Sequence, residues 1–114
     1  LTGKIRISEY SNTISIPEGK VSGTQSHKAS CVDNYSCYDP HVIATNVGQQ
    51  VVWRNYDLQR HTVTSGTPDA PMPEMFDSGS FKTYEYFRHT FDEAGTYNYF
   101  CTIHQWMQGI VVVE

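Results

Sequence analysis

The chain has 114 residues and a formal net charge of −4, from 12 acidic and 8 basic residues. This length is enough for one domain with a single core, and a hydrophobic content of 39% is typical of a folded protein. The basic residues are scattered along the sequence with no basic run, which argues against nucleic-acid binding. No apolar run approaches the length of a membrane span. We therefore expect residues 1–114 to form one folded domain, tied to a membrane only through a leader or anchor that has been removed or is missing.

Taken in chain order, the predicted elements are almost all strands. The strand-like runs are KIRISEY, TISI, HVIAT, QVVWRN, HTVTSG, TYEYFRHTF, GTYNYFC and GIVVVE. They are rich in β-branched and aromatic residues, several alternate in polarity, and turn residues separate them. Helical periodicity is absent. Many short strands with regular turns predict an all-β sandwich or barrel of about eight strands.

A long polar stretch at residues 24–40 interrupts this pattern and contains two of the three cysteines. An odd count is most simply one pair plus one free thiol, so we expect Cys31 to be bridged to Cys37 and Cys101 to be free. A disulfide forms and persists in an oxidising compartment. The sequence therefore predicts an extracytoplasmic protein, on the periplasmic side or the outer face of the cell membrane.

The segment CTIHQWM places three soft or borderline metal donors in one short loop. Cys101 ends a strand whose alternation points it inward, and His104 and Met107 follow at intervals of three residues. A turn brings residues at this spacing together. His61 begins the run HTVTSG directly after a polar loop, and strand ends meet at the poles of a sandwich. We therefore expect His61 to complete the set.

Two imidazoles, a thiolate and a weak axial thioether are the ligands of a blue-copper electron-transfer site. Each residue taken alone has a plainer interpretation: Cys101 as a small buried hydrophobe, His104 as a surface histidine, Met107 as core filler. Zinc is the main rival metal, because two histidines and one cysteine with water form a known catalytic zinc set. A thioether is a poor zinc ligand, so Met107 favours copper.

From about residue 42 onward the sequence resembles the cupredoxins of the plastocyanin and amicyanin type. The resemblance rests on VVWRNYD followed by HTV, then FDSG, then TFDEAGTYNYFCTIHQWMQGIVVVE, and the Cys-x2-His-x2-Met spacing resembles the ligand loop of amicyanin. It implies an eight-stranded Greek-key sandwich with one type 1 copper. It also implies equatorial ligation by His61, Cys101 and His104, axial ligation by Met107, and one-electron transfer between redox partner proteins.

The sequence departs from the family pattern at several positions near the predicted ligands. Many members have Pro before the first ligand histidine and Asn after it, where this chain has Arg60 and Thr62. We expect the Thr62 hydroxyl to make a weaker form of the hydrogen bond by which the asparagine holds the ligand loop. Gln105 replaces a frequent proline, and Trp106 puts a bulky ring beside the metal. Residues 24–40 are longer than the usual early connection and are interpreted as a loop insertion.

These features predict an electron carrier, with no enzymatic activity of its own, that docks transiently with redox partners near His104, where Trp106 contributes to the contact surface. Two alternatives stay open. If the Trp106 ring draws Met107 away, an open axial position favours redox chemistry on a small molecule such as a nitrogen oxide. The second alternative is a copper-binding or delivery protein.

Overall fold

The computed structural model describes residues 12–19, 30–33 and 35–114. Its elements are β1 (Thr13–Ile16), α1 (Ser30–Asp33), β2 (Val42–Thr45), β3 (Gln50–Asn55), β4 (Thr64–Thr67), β5 (Ala70–Pro71), β6 (Tyr86–Thr90), β7 (Gly95–Phe100) and β8 (Gln108–Val113). The predicted strand KIRISEY and part of the 24–40 loop lie outside the described residues. Within the described ranges, no helix has both the length and the apolar character to span a membrane.

The described strands form two sheets, with the orders β1-β3-β6 and β2-β8-β7-β4-β5. Strand β1 runs parallel to β3 and β2 runs parallel to β8, whereas β3–β6, β4–β5, β4–β7 and β7–β8 are antiparallel. The predicted all-β sandwich of about eight strands is confirmed. Alternation within the strands explains the core, since Val51, Trp53 and Asn55 of β3 are buried while the residues between them are less so.

A cluster of aromatic rings fills the space between the sheets. The Trp53 ring lies 5.3 Å from the Tyr99 ring and 5.6 Å from the Phe87 ring, and Tyr38 lies 4.7 Å from Tyr99. Edge-on and tilted contacts at such distances are the favourable geometries for aromatic pairs. At the far end of β7, the Tyr97 hydroxyl donates to the Glu93 carbonyl oxygen at 2.6 Å, as in a tyrosine corner.

Strand β4 begins later than the run HTVTSG predicts. His61 lies before it, in an isolated antiparallel bridge to Phe81. The reason is local: the Thr62 N–H donates to the Cys101 sulfur, and the Val63 N–H donates to the Ser78 hydroxyl. Because these groups are already engaged, regular strand pairing starts only at Thr64.

Candidate metal centre

The loop between β7 and β8 is closed by its own backbone. The Cys101 N–H donates to the Met107 carbonyl oxygen at 3.1 Å, and the Met107 N–H donates to the His104 carbonyl oxygen at 2.9 Å. These two bonds fold seven residues into a tight turn over the end of the sandwich. The sequence expectation that a turn brings the three donor residues close together is therefore met at the backbone.

Three donor atoms converge at this end of the molecule. One donor atom each from His61, Cys101 and His104 lies within 4.8 Å of the other two. The Cys101 Sγ is 3.8 Å from His61 Nδ1 and 3.9 Å from His104 Nδ1. Metal–sulfur and metal–nitrogen lengths of roughly 2.3 and 2.0 Å, taken at a trigonal angle, separate the donors by about 3.7 Å. This donor triangle of His61, Cys101 and His104 therefore has the size that one transition-metal ion requires.

A carboxylate holds His61 from the side opposite the donor triangle. The Asp57 Oδ2 lies 2.7 Å from His61 Nε2, and both side chains are almost wholly buried. Burial raises the pKa of Asp57, but bonds from the Gly19 N–H, His61 and the Leu58 N–H outweigh it and bring the pKa below its usual value. The ionised carboxylate can only accept, so the Nε2 atom carries the proton. The lone pair on Nδ1 is then turned toward the Cys101 sulfur.

Both histidines are held in the form that binds metals. Burial lowers the pKa of His61, and the neighbouring Asp57 only partly offsets this effect. Burial also lowers the pKa of the half-buried His104, again against the pull of the Asp57 charge. The two imidazole rings lie 4.9 Å apart. Neutral imidazoles this close favour a shared cation, since only the unprotonated nitrogen is a ligand.

Thr62 connects the two halves of the site in the manner expected of it. Its N–H donates to the Cys101 sulfur at 3.3 Å, and its hydroxyl accepts from the Thr102 N–H at 2.9 Å. Its carbonyl oxygen accepts from the buried Tyr38 hydroxyl at 2.6 Å. The backbone and hydroxyl of one residue thus fix the sulfur, the ligand loop and an aromatic core residue together.

Trp106 turns toward the early part of the chain. Its ring lies 5.3 Å from the His104 ring, edge to face, and packs against the hydrophobic core. It lines a cavity of about 270 Å³ together with Val32, His41 and the disulfide of Cys31 and Cys37. That disulfide is present, with a sulfur–sulfur distance of 1.99 Å, and Cys101 is free, as predicted. The short helix α1 carries Cys31 to this position.

The sequence profile of the copper-binding proteins of the plastocyanin/azurin family matches residues 25–114. The chain belongs to this family. It is 35% identical to amicyanin from Paracoccus denitrificans over 82 residues, which cover 68% of this chain and 58% of the relative. Identity to amicyanin from Paracoccus versutus is 34% over 76 residues, or 63% and 54% of the two chains. The chain therefore spans a little over half the length of these curated relatives.

A solved structure supports the same assignment to the cupredoxins. The novel purple cupredoxin from Nitrosopumilus maritimus superposes with a TM-score of 0.73 at 30% identity, covering 90% of this chain and 98% of that one. The cofactor of the present cupredoxin is copper, in a single type 1 site. The buried His, Cys and His donor set fits that ion, because its sulfur ligand is soft and its imidazoles suit both copper oxidation states.

Met107 lies at the base of this cupredoxin's ligand loop. Its side chain is fully buried and belongs to the same core cluster as Cys101, Tyr99 and Val111. The structure thus places all four predicted ligand residues at one end of the sandwich. Sequence reasoning missed Asp57, although a lone acid four residues before the ligand histidine was a visible signal. It also missed Tyr38, for which the sequence offers no signal.

Proposed function

We propose that this cupredoxin is a one-electron carrier, with His61, Cys101 and His104 as equatorial copper ligands and Met107 as the axial one. The observation that carries the proposal is the convergence of two imidazole nitrogens and one thiol sulfur at metal-binding separations. When bound, copper supplies a one-electron couple that needs no proton or bond exchange.

The surrounding residues support this function because they hold the donors before any metal binds. Asp57 orients the His61 ring, the Thr62 N–H points at the Cys101 sulfur, and the loop closes on its own backbone. Two elements, the 57–62 segment and the 101–107 loop, are joined by the bond between Thr62 and Thr102. A ligand set that does not rearrange favours rapid electron exchange, since little reorganisation accompanies it.

The side of the molecule around His104 is the proposed docking surface for redox partners. His104 is only half-buried, whereas His61 is fully buried. Its neighbour Ile103 is 49% exposed, and the Trp106 ring lies 5.3 Å from the imidazole ring. An apolar contact of this kind next to a redox centre suits a transient complex.

The burial of the predicted ligand residues supports our choice of the closed carrier ahead of the two alternatives. An open axial position for a small molecule requires Met107 to be drawn away, and the full burial of the Met107 side chain supports the closed site. Trp106 lines the cavity beside the disulfide, which supports a place for the ring outside the axial position. A delivery protein requires ready release of copper, whereas His61 and Cys101 are both wholly buried.

We propose an extracytoplasmic location for the same protein. The disulfide between Cys31 and Cys37 supports it, because such bridges form and persist in oxidising compartments. We also propose that residues 1–114 form one cupredoxin domain in which residues 24–40 are an insertion. The described part of that insertion packs next to the ligand loop through Trp106.

The test is the visible and electron-spin resonance spectrum of the copper-loaded protein. An intense thiolate-to-Cu(II) band with narrow copper hyperfine splitting is expected, and Cys101→Ser should abolish the band in a protein that still folds. A shifted, purple colour would indicate an altered axial interaction and would favour the open-site alternative. Absence of any charge-transfer band would refute the type 1 assignment.

A further inference from the structure

The basic residues of the described chain lie together, although the protein is acidic overall. Arg54, Arg60, Lys82 and Arg88 are all the lysines and arginines among the described residues. They lie on or beside β3 and β6, the antiparallel pair of the three-stranded sheet. Within the described part, no carboxylate forms an ion pair with any of the four. The Arg54 Nε is buried there without a hydrogen-bond partner.

Exposed tyrosines lie between these cations. Tyr84 is 64% exposed, Tyr86 50% and Tyr56 40%, and Leu58 beside them is 77% exposed. We call the eight residues the basic–aromatic face: Arg54, Tyr56, Leu58, Arg60, Lys82, Tyr84, Tyr86 and Arg88. Tyrosine and arginine are among the residues most enriched at the centres of protein interfaces. These exposed rings do not contribute to the hydrophobic core.

Contacts make the face continuous. The Arg54 guanidinium carbon lies 5.5 Å from the Tyr56 ring centre, and the Arg88 carbon lies 4.5 Å from the Tyr86 ring centre. Arg54 and Tyr86 are register partners between β3 and β6. The Tyr56 and Tyr84 rings are 6.2 Å apart.

The remaining members join the face at its other end. Leu58, Arg60 and Lys82 line one depression together with Thr83. The Thr83 hydroxyl donates to the Asp57 carbonyl oxygen at 2.6 Å, which ties this depression to the loop that carries Tyr56.

The basic–aromatic face includes the two chain neighbours of the residue that bonds His61 on the side away from the donor triangle. Asp57 lies between Tyr56 and Leu58 in the chain, and its buried carboxylate bonds His61 Nε2 at 2.7 Å. One residue therefore separates the surface from a ligand ring. The proposed docking surface at His104 lies on the other imidazole, so the two surfaces address different ligands.

We propose that the basic–aromatic face is a second docking surface, and that its partner is a redox protein with an acidic contact face. The inference rests on the proposed carrier function and adds a second surface to it. Four cations that form no ion pair with a carboxylate of the described residues attract an acidic partner and orient it during encounter, and the tyrosines supply the apolar contact. The partner loses one electron as this protein gains one, or the reverse, and no atom is transferred.

The test uses an acidic c-type cytochrome as the probe and two double variants with equal change in charge. Arg54→Gln with Arg88→Gln removes two positive charges from the face. Thr96→Glu with Asn98→Asp adds two negative charges on β7, in the other sheet, at exposed positions. At low ionic strength we expect the first variant to lower the second-order rate of electron exchange by roughly 5- to 10-fold, and the second by less than about 2-fold.

A readout that needs no copper accompanies the kinetics. In the metal-free protein, titration with the cytochrome should shift the amide signals of Tyr56, Tyr84 and Tyr86, and the Arg54→Gln/Arg88→Gln variant should lose these shifts. Arg54→Lys with Arg88→Lys keeps the charges and should retain both rate and binding. This conservative pair separates lost charge from lost folding.

Three outcomes would overturn the inference. The first is an unchanged rate and unchanged shifts in the Arg→Gln pair. The second is an effect confined to Ile103→Glu on the His104 side. The third is loss of binding to phosphatidylglycerol vesicles without any effect on the cytochrome, which would assign the face to a membrane. Failure of the carrier function itself is recognised separately, by a missing thiolate band or by no one-electron exchange with hexacyanoferrate.

Discussion

The carboxylate of Asp57 and the imidazole of His61 meet at 2.7 Å inside the protein, four residues apart in a segment that is not helical. The same carboxylate accepts the Gly19 N–H at 2.9 Å, so it also ties the end of the β1 segment to the site. The pair is therefore both a support for a ligand and a structural link.

Asp57→Ala should weaken copper binding by about 10- to 100-fold, because groups that orient a ligand histidine typically contribute that much to metal affinity. Asp57→Asn retains a carbonyl acceptor for the His61 Nε2 proton and should lose less copper affinity. Competition titration with a chelator of known affinity measures both. Equal affinity in wild type and Asp57→Ala would show that His61 is oriented by packing alone.

Thr62→Val should destabilise the metal-free protein by about 1 kcal/mol, because the Thr102 N–H loses its acceptor at similar side-chain volume. Urea unfolding of the metal-free protein measures the change in free energy. Thr96→Val, at an exposed position on β7, is the control and should change little. If the two variants matched, the hydroxyl of Thr62 would not be what holds the ligand loop.

Tyr38→Phe and Tyr99→Phe remove the hydroxyl from two fully buried rings. Their effects on the free energy of unfolding should differ in sign or size. The Tyr38 hydroxyl donates to the Thr62 carbonyl, so its loss should cost roughly 1 kcal/mol. The Tyr99 hydroxyl is buried without a hydrogen-bond partner in the described structure, so its loss should be neutral or stabilising. Unfolding midpoints decide, and a larger loss for Tyr99→Phe contradicts this assignment.

The protein should lose stability in alkali through the same two tyrosines. Burial raises the pKa of Tyr38 and of Tyr99 above the usual value near 10. Above that pH the unfolded chain releases phenolic protons that the folded protein retains. Stability is therefore complete below about pH 10 and falls by up to about 1.4 kcal/mol per pH unit for each tyrosine above it.

Urea unfolding of the metal-free protein between pH 8 and 11 measures that slope. The Tyr99→Phe variant serves as the reference and should show about half of it. A flat profile in wild type would mean that both rings become accessible to solvent before the protein unfolds.

Trp106→Ala should slow electron self-exchange several-fold while copper uptake is unchanged, because the ring contacts His104 and otherwise lines the cavity beside the disulfide. Line broadening in mixtures of the reduced and oxidised protein gives the rate. Trp106→Phe preserves an aromatic contact and should be intermediate. Loss of copper in the alanine variant would instead identify the ring as a structural support of the site.

Donor chemistry and strand patterns were predictable from sequence because both are local. Strand β3 coincides with QVVWRN, and the loop from Cys101 to Met107 contains its three donors in plain view. The start of β4 was not predictable, since the Thr62 and Val63 amides bond groups that lie far along the chain. The support from Asp57 depends on how a loop folds back, and the direction of Trp106 depends on the cavity beside the disulfide.

The donor triangle also has a consequence for the chain as a polymer. His61 and Cys101 are 40 residues apart in sequence. An ion that binds both residues cross-links the two ends of this long loop. Such a cross-link lowers the conformational entropy chiefly of the unfolded chain. The metal should therefore stabilise the fold, so that loading with copper raises the unfolding temperature and also gives the protein its redox couple.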